Sequence, residues 1–349
     1  GLTSHSAVVA RQMGKCCVAG CASIDVREEE QVIEVDGNIL SAGQWISLDG
    51  NNGLVISGEK KLKMPDLENN KDYVQFMHWA DGVRTLGVRA NADTKEDSKA
   101  ALNFGCEGIG LCRTEHMFFE GDRINYIRAM ILANGLEERK KALDYLLPIQ
   151  RADFIEIFEI MKDRPVTIRL LDPPLHEFLP KTEKDIAETA QILVKDVSMV
   201  AKSTEDHKEQ NPMLGHRGCR LAITYPEISK MQVRAIIEAA CHMKKQGVDV
   251  LPEIMIALTS GVKEWEFNND IAHEVAKEVM AEQKIQVDYL VGTMVEIPRT
   301  CLLAEEISKE AQFFSFGTND LTQLTYGLSR DDSGKFLPEY LDKGLIAHD

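Results

Sequence analysis

Three arginines and two carboxylates follow short apolar runs, where a strand would deliver its last side chains to a common site. Arg113 closes Gly108-Ile109-Gly110-Leu111-Cys112-Arg113, and Arg169 lies in Thr167-Ile168-Arg169-Leu170-Leu171-Asp172. Arg217 lies in Asn211-Pro212-Met213-Leu214-Gly215-His216-Arg217-Gly218. Glu296 follows Gly292-Thr293-Met294-Val295, and Asp320 closes Phe316-Gly317-Thr318-Asn319-Asp320. A guanidinium offers a planar fork that matches carboxylate and phosphate oxygens. Two carboxylates from adjacent strands suit Mg²⁺, with Mn²⁺ as a substitute, because Mg²⁺ takes few protein carboxylates and fills its other positions with substrate and water. Such a set would stabilise an enolate oxygen and a migrating phosphoryl group.

A sixth residue offers a different chemistry. The opening Gly1-Leu2-Thr3-Ser4-His5-Ser6-Ala7 puts His5 in the first turn of a helix expected over residues 3–13, with Thr3 or Ser4 as N-cap. Free backbone N–H groups and the helix dipole favour a phosphate there. The same dipole disfavours imidazolium and so keeps the ring nucleophilic. Arg11, further along that helix, would help to hold a phosphate.

The elements that must position these residues fall into two patterns. Residues 1–59 are rich in glycine and short β-type runs, with strands expected at 16–19, 31–35 and 53–56 and turns at Asp36-Gly37 and Asp49-Gly50. Residues 60–84 read as a linker. From residue 85 short apolar runs alternate with amphipathic helices. Strands are expected at 86–89, 108–112, 166–171, 212–214, 249–255, 289–295 and 313–316, and helices at 186–201 and 271–282. Strand–helix repetition implies a parallel sheet, open or closed. The seven strands are one short of a closed (β/α)8 barrel, whose functional face is the end where the strands finish.

Composition narrows the function classes. The 349 residues are 44% hydrophobic with a net charge of −16, which argues against a nucleic-acid surface. No apolar run approaches membrane-spanning length. The eight cysteines are scattered and read as reduced thiols of a cytoplasm-like compartment, with the one cluster, Cys16, Cys17 and Cys21, read as buried small hydrophobes and not a zinc site. Cys301, after Arg299, reads as a helix residue packed on the barrel.

The Thr3-Ser4-His5 motif, followed by Ala7-Val8-Val9-Ala10-Arg11 and Gly14-Lys15-Cys16-Cys17-Val18, resembles the phosphohistidine motif of the phosphoenolpyruvate-utilising phosphotransferases. All the strand-end segments resemble that family's phosphoenolpyruvate-binding barrel, and the likeness spans essentially the whole chain. Asp172-Pro173-Pro174-Leu175-His176-Glu177-Phe178, with Lys15-Cys16-Cys17-Val18, is similar to the pyruvate, phosphate dikinase branch. The resemblance implies a partial swivelling β/β/α carrier domain over 1–59 and a TIM-type barrel over 85–349. It implies that His5 carries the phosphoryl group and that Arg113, Arg169 and Arg217 bind substrate anions. Glu296 and Asp320 would hold Mg²⁺ beside the substrate, with Gly317, Thr318 and Asn319 contacting its phosphate or carboxylate. Thr3 aligns with a threonine that plant dikinases phosphorylate for regulation.

The implied reaction interconverts ATP, phosphate and pyruvate with AMP, pyrophosphate and phosphoenolpyruvate. The alternatives are a phosphoenolpyruvate synthase, which uses water as acceptor, and a non-catalytic protein that retains the fold. Synthases usually carry cysteine where Ser4 stands. The chain reads as an internal fragment, inactive alone in the full reaction. An ATP-binding domain is expected before it, and a last strand with the catalytic cysteine after it. The parent is expected to be a homodimer with no nucleic-acid or membrane partner; plastid or microbody targeting stays open.

Overall fold

The computed structural model describes residues 10, 15–19, 23–28, 30–35, 37–50, 52–61, 70–119, 121–330 and 332–347. The chain divides into two compact units, Gly1–Thr85 and Leu86–Asp349.

In the first unit, β1 (Ile24–Arg27), β2 (Val32–Val35) and β3 (Asn38–Ser41) form an antiparallel sheet, and β4 (Ile46–Asp49) pairs with β5 (Leu54–Ser57). The turn between β2 and β3 uses Gly37 at φ +79°, a left-handed backbone that favours glycine. The strand expected at 16–19 is absent. That stretch is irregular, and Cys16 is exposed rather than buried, donating its thiol to the Leu48 carbonyl at 3.3 Å. Of the helix expected over 3–13 only Ala10, which is helical, is among the described residues; Thr3, His5 and Arg11 lie outside them. The stretch read as linker contains a helix, Lys71–Val83, whose N-cap Asn70 accepts from the Tyr73 amide. Short polar caps of this kind stabilise a helix start by about 1 kcal/mol.

The second unit is a half-barrel. Six parallel strands, β6 (Ala90–Asn91), β7 (Ile109–Arg113), β8 (Pro165–Arg169), β9 (Leu251–Ile256), β10 (Leu290–Val295) and β11 (Phe314–Phe316), lie side by side in sequence order. Six, not seven, is the count among the described residues. The residues expected as a fourth strand, Pro212–Leu214, form a 3-10 turn. β8 pairs directly with β9, Thr167 opposite Glu253 and Arg169 opposite Met255, which leaves no place between them. Pro212 cannot donate to a ladder, and three apolar residues are too short a run to separate strand from turn.

Side chains alternate along each strand. Val166, Ile168, Ile254, Ile256 and Val291 therefore face outward into a core shared with Phe154, Phe158, Ile236, Ala240, Val275 and Val279 of three long helices, Leu136–Met161, Pro226–Lys245 and Val262–Gln283. Each fully buried side chain of this size contributes about 1.5–3 kcal/mol. The opposite, concave face carries Thr167, Arg169, Glu253, Met255, Gly292 and Met294. The β7-to-β8 connection and the β8-to-β9 crossover together build a second core, the first giving Phe118, Ile127 and Leu146 and the second Phe178, Leu221 and Ile228. The single helix expected over 186–201 is two, Glu183–Leu193 and Val197–Asp206, divided where Val194 turns left-handed at φ +52°. Cys106, Cys112, Cys219 and Cys241 are buried, whereas Cys17 of the cluster expected to be buried is only half-buried and Cys21 lies outside the described residues. Cys301 is exposed, because helix Pro298–Leu302 turns it outward rather than onto the sheet.

Candidate active site at the strand ends

β7 and β8 end on Arg113 and Arg169, which are opposite one another in the ladder. Two like charges so placed repel unless anions lie between or beside them. Arg169 is neutralised by protein. It donates through Nη2 to Glu115, and its Nη1 lies 2.9 Å from Asp172 Oδ2. Arg217 reaches the same carboxylate with two bonds, Nε to Oδ1 at 3.1 Å and Nη2 to Oδ2 at 2.6 Å. Burial works against both guanidinium charges, but Asp172, aided at Arg169 by Glu115, outweighs it and holds both above the ordinary arginine range. Arg217 does not end a strand, as the sequence suggested. It lies in the crossover and is brought in by Gly218, whose amide donates to the Asp172 carbonyl at 2.9 Å. Gly218 sits at φ +55°, and an added Cβ would lie 2.9 Å from the Ala257 carbonyl oxygen, so a side chain there would push the crossover off β9.

Glu296, one residue beyond β10, is fully buried. Its Oε1 accepts from the Leu258 amide at 2.6 Å, while Oε2 is buried without a hydrogen-bond partner. Burial first, then the nearby carboxylates of Asp172 and Asp320, push its pKa up to about 8. Gly317 makes the approach of β11 possible: a Cβ there would lie 2.7 Å from Glu296 Oε2. Gly317 caps the helix Thr318–Tyr326, whose first turn holds Thr318, Asn319 and Asp320. Thr318 and Asn319 are exposed and Asp320 is half-buried.

Among the described residues, no group of three or more His, Cys, Asp or Glu side chains is arranged to hold a metal ion. A two-carboxylate Mg²⁺ site is a smaller requirement, and Glu296 and Asp320 fit it. An orphaned buried carboxylate oxygen, crowded by other carboxylates, is relieved by a hard divalent cation that brings its own water.

Arg113 belongs to a neighbouring cluster. Its backbone amide donates to Asp93 Oδ1 at 2.6 Å, and its Nη1 lies 3.7 Å from Asp93 Oδ2, which also bonds His116 Nδ1 at 2.7 Å. Sequence reasoning missed Asp93, Glu115, Asp172 and His116 as site residues. Glu115, Asp172 and His116 stand two or three positions from the chosen arginines, which was a usable signal. Asp93 is 20 residues from Arg113 and carried none.

Residues 67–343 match the family description "PEP-utilising enzyme, PEP-binding domain", and residues 1–53 match "PEP-utilising enzyme, mobile domain". The chain is 55% identical over 351 residues to pyruvate, phosphate dikinase 1, chloroplastic, of Arabidopsis thaliana, covering all of this chain and 36% of that protein. It is 51% identical over 350 residues to the pyruvate, phosphate dikinase of Clostridium symbiosum, again over the whole chain and 40% of the relative. The Rhizobium meliloti enzyme of the same name is 52% identical over 350 residues, with 39% of it covered. The chain thus spans 36% to 40% of the length of these relatives. No helix among the described residues is long and apolar enough to cross a membrane.

Proposed function

Because this chain belongs to the PEP-utilising enzymes, we propose that it is part of a pyruvate, phosphate dikinase, which interconverts ATP, phosphate and pyruvate with AMP, pyrophosphate and phosphoenolpyruvate. The observation that carries the reading is the buried Arg169–Asp172–Arg217 assembly at the end of β8, with the orphaned Glu296 carboxylate close by. Buried ion networks are costly to build and weak evidence for stability, so their presence at strand ends points to chemistry.

In this reading the second unit is the larger part of a (β/α)8 barrel, and residues 1–59 are part of a swivelling carrier whose His5 takes the phosphoryl group. Arg113 and Arg169, adjacent in the ladder, take phosphate and carboxylate oxygens, and Arg217 is turned toward the same substrate by Asp172. Gly317 lets substrate approach the backbone closely, and Thr318 and Asn319 offer donors at a helix start, where anions are favoured. Glu296 and Asp320 would hold Mg²⁺, which supplies Lewis-acid stabilisation of negative charge at the enolate oxygen when bound. Asp172 and Glu115 keep the arginines charged and oriented, so the site needs little reorganisation as charge develops. Thr3 is a candidate for regulatory phosphorylation. A homodimeric parent in a cytoplasmic or plastid compartment fits the buried thiols and the chloroplastic relatives.

A phosphoenolpyruvate synthase is the second reading, and the segment Asp172 to Phe178 favours the dikinase over it. The test is turnover by the complete polypeptide that carries this chain. The dikinase reading expects phosphoenolpyruvate formation to require inorganic phosphate and expects His5→Ala to abolish both half-reactions. Formation that proceeds without phosphate would replace it with the synthase.

A further inference from the structure

Asp93 and His116, which flank Arg113, have no part in the roles given above, yet they are held more closely than a surface loop requires. Asp93 follows β6 and uses both oxygens. Oδ1 accepts the Arg113 amide at 2.6 Å, and Oδ2 holds His116 Nδ1 at 2.7 Å with Arg113 Nη1 at 3.7 Å. The Asp93 side chain is 12% exposed, whereas that of His116 is 52% exposed. The carboxylate is therefore an internal post, and the imidazole it grips is open to solvent. With Nδ1 engaged, the ring's other nitrogen is the one left to meet a ligand.

We propose that His116, held by Asp93, is an anion-binding residue that works beside Arg113 on the phosphate group of the bound substrate, and that Asp93 is the positioning residue for both. The inference rests on the reading that these strand ends bind phosphoenolpyruvate. Three features carry it. His116 and Arg113 share one carboxylate oxygen, so their positive groups are neighbours. Arg113 is opposite Arg169 in the ladder, so His116 stands on the rim of the same site. Asp93 bonds the Arg113 amide, so it fixes the end of β7 as well as the two side chains.

The imidazole gives this site a pH dependence that an arginine lacks. The charged groups facing His116 are Asp93 from the loop after β6, and Arg113 and Glu115 from its own segment; Asp97 faces Asp93 from the next helix, accepting its amide at 3.4 Å. The bond to Asp93 raises the His116 pKa from its ordinary value, burial opposes this, and Asp93 and Glu115 outweigh the opposing charge of Arg113. The protonated ring donates a charge-assisted hydrogen bond to an anion, and the neutral ring donates a weaker one or none.

The experiment measures binding of phosphoenolpyruvate with Mg²⁺, and separately of sulfate, to the chain and to His116→Gln between about pH 6 and about pH 9. Sulfate keeps its charge across that range, and the ratio of variant to wild-type Kd cancels the titration of phosphoenolpyruvate itself. The expected ratio is about tenfold at the acid end, the worth of one charge-assisted bond, and falls to within about twofold at the alkaline end. Asp93→Asn provides a second readout: histidine NMR should show the His116 midpoint lowered, with its resonance no longer moved by either ligand. A ratio that stays flat with pH, or a His116 resonance that ignores sulfate in the folded wild-type chain, overturns the inference. Wild-type chain that binds sulfate at His116 but not phosphoenolpyruvate supports this anion site and contradicts the substrate reading instead.

Discussion

Arg217 lays its fork against both oxygens of Asp172, at 3.1 and 2.6 Å, while Arg169 holds one of those same oxygens at 2.9 Å. Asp172 is 2% exposed and joins the strand end to the crossover. Removing one partner of a buried charge network costs about 3–5 kcal/mol, because the remaining charges stay buried. Asp172→Leu should therefore lower the thermal midpoint by about 6–20 °C, given about 2–4 °C per kcal/mol for a unit of this size. Calorimetry of the chain checks this. An unchanged midpoint would mean that water already satisfies the two arginines.

Glu296 makes a prediction about pH. Its folded pKa, about 8, lies above the ordinary 4.5. A carboxyl raised in the fold contributes stability that is complete below its unfolded value and is lost as pH rises through the folded one. The chain should therefore lose stability between about pH 4.5 and about pH 8, and Glu296→Gln should lose less, by a few kcal/mol at the alkaline end. Urea unfolding at several pH values measures both. Equal slopes for the two proteins would show that Glu296 ionises without penalty.

Mg²⁺ should offset the same penalty. Ligand at about 100 times its Kd stabilises by about 2.7 kcal/mol, so added Mg²⁺ should raise the thermal midpoint of the wild-type chain at pH about 8 and leave that of Glu296→Gln unmoved. A midpoint raised equally in both proteins would place the ion elsewhere.

Gly317→Ala separates site geometry from stability. The glycine has φ −80° and ψ 72°, which alanine can adopt, but the new methyl would lie 2.7 Å from both Cβ and Oε2 of Glu296. The variant should fold, with a stability within about 1–3 kcal/mol of wild type, and lose the Mg²⁺ response. A retained response would show that Glu296 can swing aside and still bind.

Thiol labelling reports on burial. Burial pushes Cys219 up to about 12, and its Sγ donates to the Leu258 carbonyl at 3.2 Å, whereas Cys301 is exposed. At pH about 8 an alkylating reagent should modify Cys301 within minutes and spare Cys219 until the chain unfolds. Peptide mapping distinguishes the two, and early labelling of Cys219 would indicate a loosely packed crossover.

Much of the second unit was legible because its strands are apolar runs bounded by glycine, proline and charge. β7, β8, β9, β10 and β11 lie within a few residues of their expected places. The failure at Pro212–Leu214 has a plain cause. A proline followed by two apolar residues has the hydrophobicity of a strand but not its hydrogen-bonding capacity, and only the direct β8–β9 pairing reveals that no strand fits there. The expected first strand, 86–89, came out as β6 at Ala90–Asn91, because the apolar residues Leu86 and Val88 are exposed and do not select the paired register. At the site, arginines and acids were legible from residue type. Asp93 and its hold on Arg113 were not, since a contact across 20 residues leaves no local pattern. Glu115 and Asp172 were in view but unassigned, because a sequence does not say which acids will be buried against an arginine.

The central claim is that the strand ends bind phosphoenolpyruvate through the arginines that Asp172 gathers. Isothermal titration of the chain with phosphoenolpyruvate and Mg²⁺, beside Arg169→Met and Arg217→Met, tests it most directly. The expected result is saturable Mg²⁺-dependent binding to wild type, weakened by about tenfold or more in each variant, the loss of a charge-assisted bond or pair. Binding to both variants as tight as to wild type, with the proteins folded, would contradict the account.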